Sequence, residues 1–289
     1  MTSDDLTTTR RIADFLVPRL DQVVEEHKHD GLDEIAANRR AVDSCSEILL
    51  EARGDVMGDF ESTLTSGLSA ETRAQKMMQA SKSNAGKIFE RFVAYAISRA
   101  LAGSDWAVWK DTADVADVIG VSKKDLLDVT REAFGKRVEV LLEADFLIFQ
   151  PSRPLETLVF VSTKSSMKDR LHNVTMWAVL LETLRDEAAR KHLRLDASHL
   201  ETLKRSRYVL VTGDFAEEQP DLRGGADPRA LLQFDASFCD AAFAAVTPEW
   251  NSSLKTEVTS VRETAFYRLS ALPGYLDALE VLIESGQAP

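Results

Sequence analysis

The 289-residue chain has few cysteines and no long apolar run. Its two cysteines, Cys45 and Cys239, lie far apart without metal-ligand spacing, so we expect two free thiols in a reducing cytoplasm. No stretch reaches the roughly 18 apolar residues that a transmembrane helix needs. The first residues, "MTSDDLTTTRR", carry acids where a secretory signal would be basic. We therefore predict a cytoplasmic protein that makes no use of a membrane.

Positive charge is also scarce, with 35 Lys and Arg against 47 Asp and Glu and a formal net charge of −12. This balance argues against a protein that coats nucleic acid without specificity, although a specific site depends on the local field. Two segments are basic against this background: residues 160–210 hold ten basic and six acidic side chains, and residues 71–91 hold five and two. These islands favour a cleft for an anionic ligand, while random clustering remains the alternative.

Familiar cofactor motifs are missing. The five histidines show no zinc spacing, and "RGGADP" (223–228) lacks the Lys-Ser/Thr that would follow in a phosphate loop. With 44% hydrophobic and 28% charged residues, the composition is that of an ordinary globular protein. The length allows one large domain, or a core with a smaller domain attached.

Hydrophobic periodicity predicts helices in most of the first hundred residues, including a strong one in "SNAGKIFERFVAYAISRALAG". Further along, we predict strands at 105–110, 138–150, 157–164 and 206–214. We also predict a long helix at 167–192, and helices or turns in "VSKKDLLDVTREAF", "DPRALLQFDASFCDAAFAAV" and "VRETAFYRLSALPGYLDALEVLIES". The predicted fold class is α/β (α+β), with an N-terminal helical region (1–80) and a mixed-sheet core flanked by helices (81–289).

Polar residues stand at the ends of two neighbouring predicted strands. Asp145 precedes "FLIF", and Ser162 and Lys164 end "TLVFVSTK". If the two strands pair as a hairpin, Asp145 and Lys164 lie at the same end of the sheet. Phosphodiester hydrolysis needs such groups, because a carboxylate can hold Mg2+, a lysine can position the attacking water, and the Thr163 carbonyl can add a metal ligand. The same residues would also serve as ordinary charged strand ends.

A hydrolytic metal site usually needs a second acid, and the sequence offers three. Glu143 has the same strand parity as Asp145, and Glu182 lies on the following helix. Glu90 lies on the polar side of the otherwise apolar helix "GKIFERF". The residues alone leave all three open.

The pattern "AD…STK" resembles the motif of the PD-(D/E)xK nucleases, with Ala144 in place of proline and Ser162 in place of the second acid. That change resembles type II restriction endonucleases of the CCGG-reading group, such as AgeI and BsaWI. The resemblance covers about residues 90–175 and implies a restriction-endonuclease-like core and Mg2+ as cofactor. Trp177 stands where a downstream acid is expected in the family, so the resemblance assigns the catalytic and metal-binding roles to Glu90, Asp145, Ser162, Lys164 and the Thr163 carbonyl.

The segment after the lysine, "KSSMKDR", is similar to the base-reading Arg-(Asp/Glu)-Arg of the same enzymes. Lys and Arg donate to guanine, and Asp accepts from cytosine N4, so such a triplet addresses G and C bases. Lys168 stands where the family has its first arginine. A lysine lacks the bidentate fork of arginine, so the base that is read at this position stays open. The predicted DNA-binding residues are Lys168, Asp169, Arg170, Ser165, Ser166, Asn173 and Lys87, although Lys87 also fits a solvated helix end.

The resemblance as a whole implies a Mg2+-dependent type II restriction enzyme that cuts double-stranded DNA at a short palindrome with a CCGG-type core and leaves 5'-phosphate ends. A palindrome implies a homodimer, and a restriction enzyme implies a cognate DNA methyltransferase in the same system. One alternative is a structure-selective repair or defence nuclease of the same superfamily. Another is a non-enzymatic, acidic helical binding protein.

Overall fold

The computed structural model describes most of the chain in ten pieces. Only the backbone is described at Lys123, Ala133, Val140, Leu141, Lys164 and residues 171–175. The described residues are 8–52, 55, 86–110, 117–133, 136–141, 144–164, 171–213, 239–245, 254–261 and 265–286.

The strands of the described part form two sheets. A six-stranded sheet has the order β1-β4-β5-β7-β8-β9, and a three-stranded antiparallel sheet has the order β3-β2-β6. In the large sheet β1, β4 and β5 pair antiparallel, whereas β5, β7, β8 and β9 pair parallel. The strands are β1 (Ala107–Trp109), β2 (Asp128–Ala133), β3 (Lys136–Leu141), β4 (Phe146–Phe149), β5 (Val159–Lys164), β6 (Leu195–Ala197), β7 (Arg207–Gly213), β8 (Ala241–Ala245) and β9 (Phe266–Arg268).

Helices cover both faces of the large sheet. A π-helical turn, Ile12–Leu16, leads into the first helix, and Pro18 lies in its first turn, where a missing amide hydrogen is tolerated. Short 3-10 turns occur at Val42–Ser44 and Leu269–Ala271. The helices are α1 (Val17–His29), α2 (Glu34–Ala41), α3 (Cys45–Glu51), α4 (86–100), α5 (Lys123–Leu126), α6 (Leu171–Arg185), α7 (Glu187–Leu193), α8 (Leu200–Arg205) and α9 (Leu272–Glu284).

The alternation of side chains along the strands divides the core into two layers. On one face, Val159 and Val161 of β5 pack with α1 to α4 and α9, and we call this the helical layer. On the other face, Leu158 and Phe160 pack with α6, α8 and the small sheet, and we call this the second-sheet layer. Both faces of the central strands are therefore buried, which confirms the predicted mixed sheet flanked by helices.

Each layer contains one of the two cysteines. Cys45 lies in the helical layer and Cys239 in the second-sheet layer, and both are buried and free. Burial raises the pKa of both thiols far above the ordinary value. The predicted free thiols are thus confirmed.

A close approach at the end of β7 fixes the position of α3 and α4. A Cβ at Gly213 would lie 2.7 Å from Ser46 Oγ and 2.8 Å from the ring of Phe89, so only glycine fits there. Ser46 Oγ donates a hydrogen bond to the Ala245 carbonyl at the end of β8. The first turns of both helices are therefore held against the carboxyl ends of the parallel strands.

The observed strands differ from the predictions in three places. The predicted single strand 138–150 is wrong, because the chain leaves the small sheet at Leu141 and enters the large sheet at Phe146. Residues 128–133, predicted as helix or turns, form β2, since β3 and β6 pair with it on both sides. Residues 241–245, predicted as helix, form β8, whose small alanines fit between β7 and β9. Tertiary packing overrides local propensity at these places.

Two helix predictions also need correction. The run 167–192 contains two helices, because the Asp186 carboxylate accepts hydrogen bonds from Ala188 N (2.8 Å) and Ala189 N (3.0 Å) and so caps a new helix. The predicted helix after residue 261 begins only at Leu272, since Phe266–Arg268 pairs with β8. No described helix is long and apolar enough to cross a membrane.

Candidate active site

The antiparallel part of the large sheet brings the predicted strand ends together. In the β4–β5 pair, Phe146 lies opposite Val161, so Asp145 lies beside the last residues of β5. The Asp145 amide donates to the Val161 carbonyl over 2.8 Å, which continues the pairing. The predicted hairpin is therefore confirmed. Its open end, where Asp145 lies beside Ser162 and Thr163, is called the Lys164 end of the sheet.

The Asp145 carboxylate is oriented by the end of β5. Its Oδ2 accepts hydrogen bonds from the Thr163 amide at 2.5 Å and the Thr163 hydroxyl at 3.0 Å, with the Ser162 hydroxyl at 3.5 Å. Ser162 and Thr163 are buried, with exposed fractions of 4% and 6%. Neutral donors thus fix the direction of this half-buried carboxylate.

Lys110 lies at the same end, directly after β1. Trp109 pairs with Leu147 of β4, so Lys110, the next residue along the chain, lies beside the start of β4. Lys110 Nζ is shielded from solvent and lies 3.0 Å from Glu90 Oε1. Burial lowers the pKa of Lys110, while the charges of Glu90 and Asp145 act to raise it. Lys110 is therefore paired with Glu90 and also feels the charge of Asp145.

Glu90 reaches this cluster from α4, whose other face packs in the helical layer through Phe89 and Phe92. Its side chain is 26% exposed and points to Lys110. Among the three candidate second acids, Glu90 is therefore brought to the Lys164 end. Glu143 lies outside the described residues.

Glu182 lies elsewhere. It pairs with Arg185, whose guanidinium donates to the Lys204 and Ser206 carbonyls just before β7. Because β7 begins beside Val159, this is the opposite end of β5 from Lys164, and we call it the Arg207 end. The structure thus places Glu182 away from Asp145.

The predicted DNA-contacting residues are only partly described. Ser165, Ser166, Lys168, Asp169 and Arg170 lie outside the described residues. The backbone of Asn173 lies in the first turn of α6, which begins directly after that segment. Lys87 is exposed one turn before Glu90 on α4. Lys87 therefore lies near the candidate site but is open to solvent.

The sequence interpretation missed Lys110 as a site residue. The available signal was a lysine at the end of the predicted strand "DWAVWK", on the same face as Val108. That signal is weak, because only the pairing of β1 with β4 places the lysine beside Asp145.

The carboxylates at the Lys164 end are the kind of ligand that a hard divalent cation prefers. Within the described ranges, no group of three His, Cys, Asp or Glu side chains forms a metal site. The cluster at the Lys164 end instead offers two carboxylates, Glu90 and Asp145, around a buried cationic nitrogen. Carboxylate and carbonyl oxygens are the ligands that Mg2+ prefers, and Mg2+ is commonly held by only one or two carboxylates. Zinc, which favours Cys and His ligands, does not suit this set.

Comparisons with known proteins give a likeness to solved structures. No protein-family model matches the chain, and no curated protein matches it. Among solved structures, the complex of restriction endonuclease PspGI with its substrate DNA contains a similar chain, with a TM-score of 0.46 and 12% sequence identity. The similarity covers 92% of this chain and 93% of that chain. The chemistry of the site follows from its own contacts.

Proposed function

We propose that this protein is a Mg2+-dependent endonuclease that cuts double-stranded DNA at a short palindromic site and leaves 5'-phosphate ends. One observation carries the proposal: at the Lys164 end, Asp145 is oriented by Thr163 within reach of the Glu90–Lys110 pair. Two acids and two lysines at the end of a buried hairpin are the groups that phosphodiester hydrolysis requires.

Asp145 and Glu90 are the proposed metal-binding carboxylates, with the Thr163 carbonyl as a further ligand. When bound there, Mg2+ supplies a Lewis acid that stabilises the charge developing on the phosphate and lowers the pKa of a water. Lys164, the last residue of β5, is proposed to orient the attacking water. Buried Ser162 occupies the place of a second strand acid and leaves that part of the site without an extra charge.

The proposed base-reading segment follows β5 directly. In this proposal Lys168, Asp169 and Arg170 address a G/C core of CCGG type, because their donors and acceptor match guanine and cytosine edges. Ser165, Ser166, Asn173 and Lys87 contact the backbone of the DNA. A palindromic site would be cut by a homodimer, one strand per subunit, and a cognate DNA methyltransferase would protect the host site.

The test is cleavage of unmethylated phage DNA with and without Mg2+, read on a gel. We expect discrete Mg2+-dependent bands, whose ends ligate without added kinase and give the recognition site on sequencing. Intact DNA with every divalent cation tried would contradict the nuclease proposal. Random nicking, or cutting only at flaps, would contradict the palindromic readout while retaining hydrolysis.

A further inference from the structure

Lys110 forms an ion pair across two elements at the centre of the candidate site. It follows the edge strand β1, while Glu90 lies on α4, twenty positions earlier in the chain. Although the Lys110 side chain is 29% exposed, its Nζ is shielded from solvent. The ammonium is thus enclosed beside Glu90, where the charge of Asp145 also acts on it.

Charges of both signs act on Lys110, and its ion-pair partner is Glu90. Glu90 Oε1 lies 3.0 Å from Nζ, and the charge of Asp145 also acts on it, with Arg91 as the opposing cation. If a divalent cation binds Glu90 and Asp145, it needs the position beside Glu90 that the ammonium holds. Two cations at that distance from one carboxylate oxygen would repel each other strongly.

We propose that the Lys110 ammonium is the resident cation of this site in the metal-free protein, and that a divalent cation binds Glu90 only by displacing it. This inference rests on the proposed function, since it uses the same two carboxylates. Lys110 is a positioning residue: it keeps Glu90 facing Asp145 without metal and weakens metal binding by competing for Glu90.

A second lysine provides a matched control. Lys204 is also 29% exposed and pairs with Glu201 at 2.8 Å. However, Glu201 is 73% exposed and lies one turn away on the same helix. That pair is solvated and far from the Lys164 end, so the Lys204→Met substitution removes the same charge without touching the candidate site.

The experiment is calorimetric titration of Mg2+ and Mn2+ into the whole protein without DNA. We expect Lys110→Met to bind both ions about tenfold more tightly than wild type, because the competing cation is gone. Lys204→Met should bind as wild type does, and Glu90→Gln should lose most of the affinity. Without metal, Lys110→Met should melt below wild type, and saturating Mn2+ should remove most of that difference.

The outcomes separate this inference from the proposed function. If Glu90→Gln weakens binding but Lys110→Met has wild-type affinity, displacement is overturned and the metal site stands. If no variant binds a divalent cation, both are overturned. If Lys110→Met does not fold, Lys110→Gln replaces it, with the same tighter binding expected and unchanged affinity as the contradicting result.

Discussion

The two ends of the large sheet each hold a poorly exposed aspartate, and the two aspartates have different partners. At the Arg207 end, Asp240 accepts four hydrogen bonds: two from Arg185 at 3.1 Å, one from Arg207 at 3.1 Å and one from the Tyr208 amide at 2.7 Å. At the Lys164 end, Asp145 accepts hydrogen bonds from the neutral groups of Thr163, and Lys110 is shared with Glu90.

The two clusters differ in solvent exposure. At the Arg207 end, Asp240, Arg185 and Arg207 have side chains that are 6–13% exposed, and Arg185 also pairs with the exposed Glu182, so the two arginines are matched by two acids. At the Lys164 end, the side chains of Lys110 and Glu90 are 29% and 26% exposed, and the charge of Asp145 also acts on Lys110. A dry cluster of paired charges suits a structural role, whereas a partly exposed pair of carboxylates suits a site that binds a cation.

The largest expected effect is on catalysis at the Lys164 end. Asp145→Asn should lower the rate of Mg2+-dependent cleavage roughly a thousandfold, because the neutral amide cannot hold the metal. Asparagine still accepts from Thr163, so the melting temperature should change little. Cleavage rates measured on a mapped site check this, with Asp14→Asn at an exposed position as the matched control. Retained cutting would remove Asp145 from the metal site.

The mirror substitution at the Arg207 end should act on stability. Asp240→Asn removes the poorly exposed counter-charge of Arg185 and Arg207 and leaves Arg185 with the exposed Glu182, which should lower the free energy of unfolding by about 3–5 kcal/mol. Urea unfolding measures this, with the exposed Glu187→Gln as control. Metal affinity of the folded variant should equal that of wild type. A loss of metal binding without a loss of stability would reverse the roles of the two ends.

A smaller effect is expected from the segment that follows β5. Arg170→Ala should weaken binding to the cognate duplex by roughly 1–3 kcal/mol, with a smaller change on a scrambled duplex. Fluorescence anisotropy without Mg2+ measures both, and exposed Arg10→Ala is the control. Equal weakening on the two duplexes would place Arg170 on phosphates and not on bases.

Asp43 is buried, and its contribution to the stability of the fold is expected to be small and to depend on pH. Burial raises the pKa of Asp43, against the hydrogen bonds from Ser270 (both 2.8 Å) and the charge of Arg40. Because the folded state then binds this proton more tightly than the unfolded chain, the contribution of Asp43 to stability rises as the pH falls through the raised pKa. The contribution becomes constant below the ordinary pKa.

The measurement is the difference between wild type and Asp43→Asn in the free energy of unfolding, from about pH 7 to about pH 4. The difference should shift in favour of wild type toward acid. Taking a difference removes the acid destabilisation that the other carboxylates share. A flat profile, or a shift toward the variant, would contradict the raised pKa.

Much of the local structure at the candidate site is predictable from the sequence. The apolar period of residues 86–100 identifies α4, and the alternation in "TLVFVSTK" identifies β5 and the face of its residues. The hairpin of β4 and β5 follows from two adjacent apolar runs joined by a short loop. The placement of Asp145 beside Ser162 and Thr163 is therefore largely a local result.

What the sequence could not show depends on long-range pairing. Lys110 belongs to the site only because β1 pairs with β4 across about forty residues. Residues 241–245 have helical composition, yet they lie between two parallel strands with both faces covered. The helix break at Asp186 had a signal in the sequence, because Asp186 is followed by a second acid, Glu187, at the start of a new helix. The apolar period nevertheless continues through this position and hides the break.

Because one buried thiol lies in each core layer, thiol labelling can measure how each layer opens. Cys45 and Cys239 are 0% and 4% exposed, and a thiol reagent reaches them only when the surrounding packing opens. Mass spectrometry distinguishes the two peptides, so one labelling time course follows both layers. Equal rates would mean that the sheet and its two coverings open as one cooperative unit. Faster labelling of Cys45 would mean that the helices detach while the second-sheet layer stays closed.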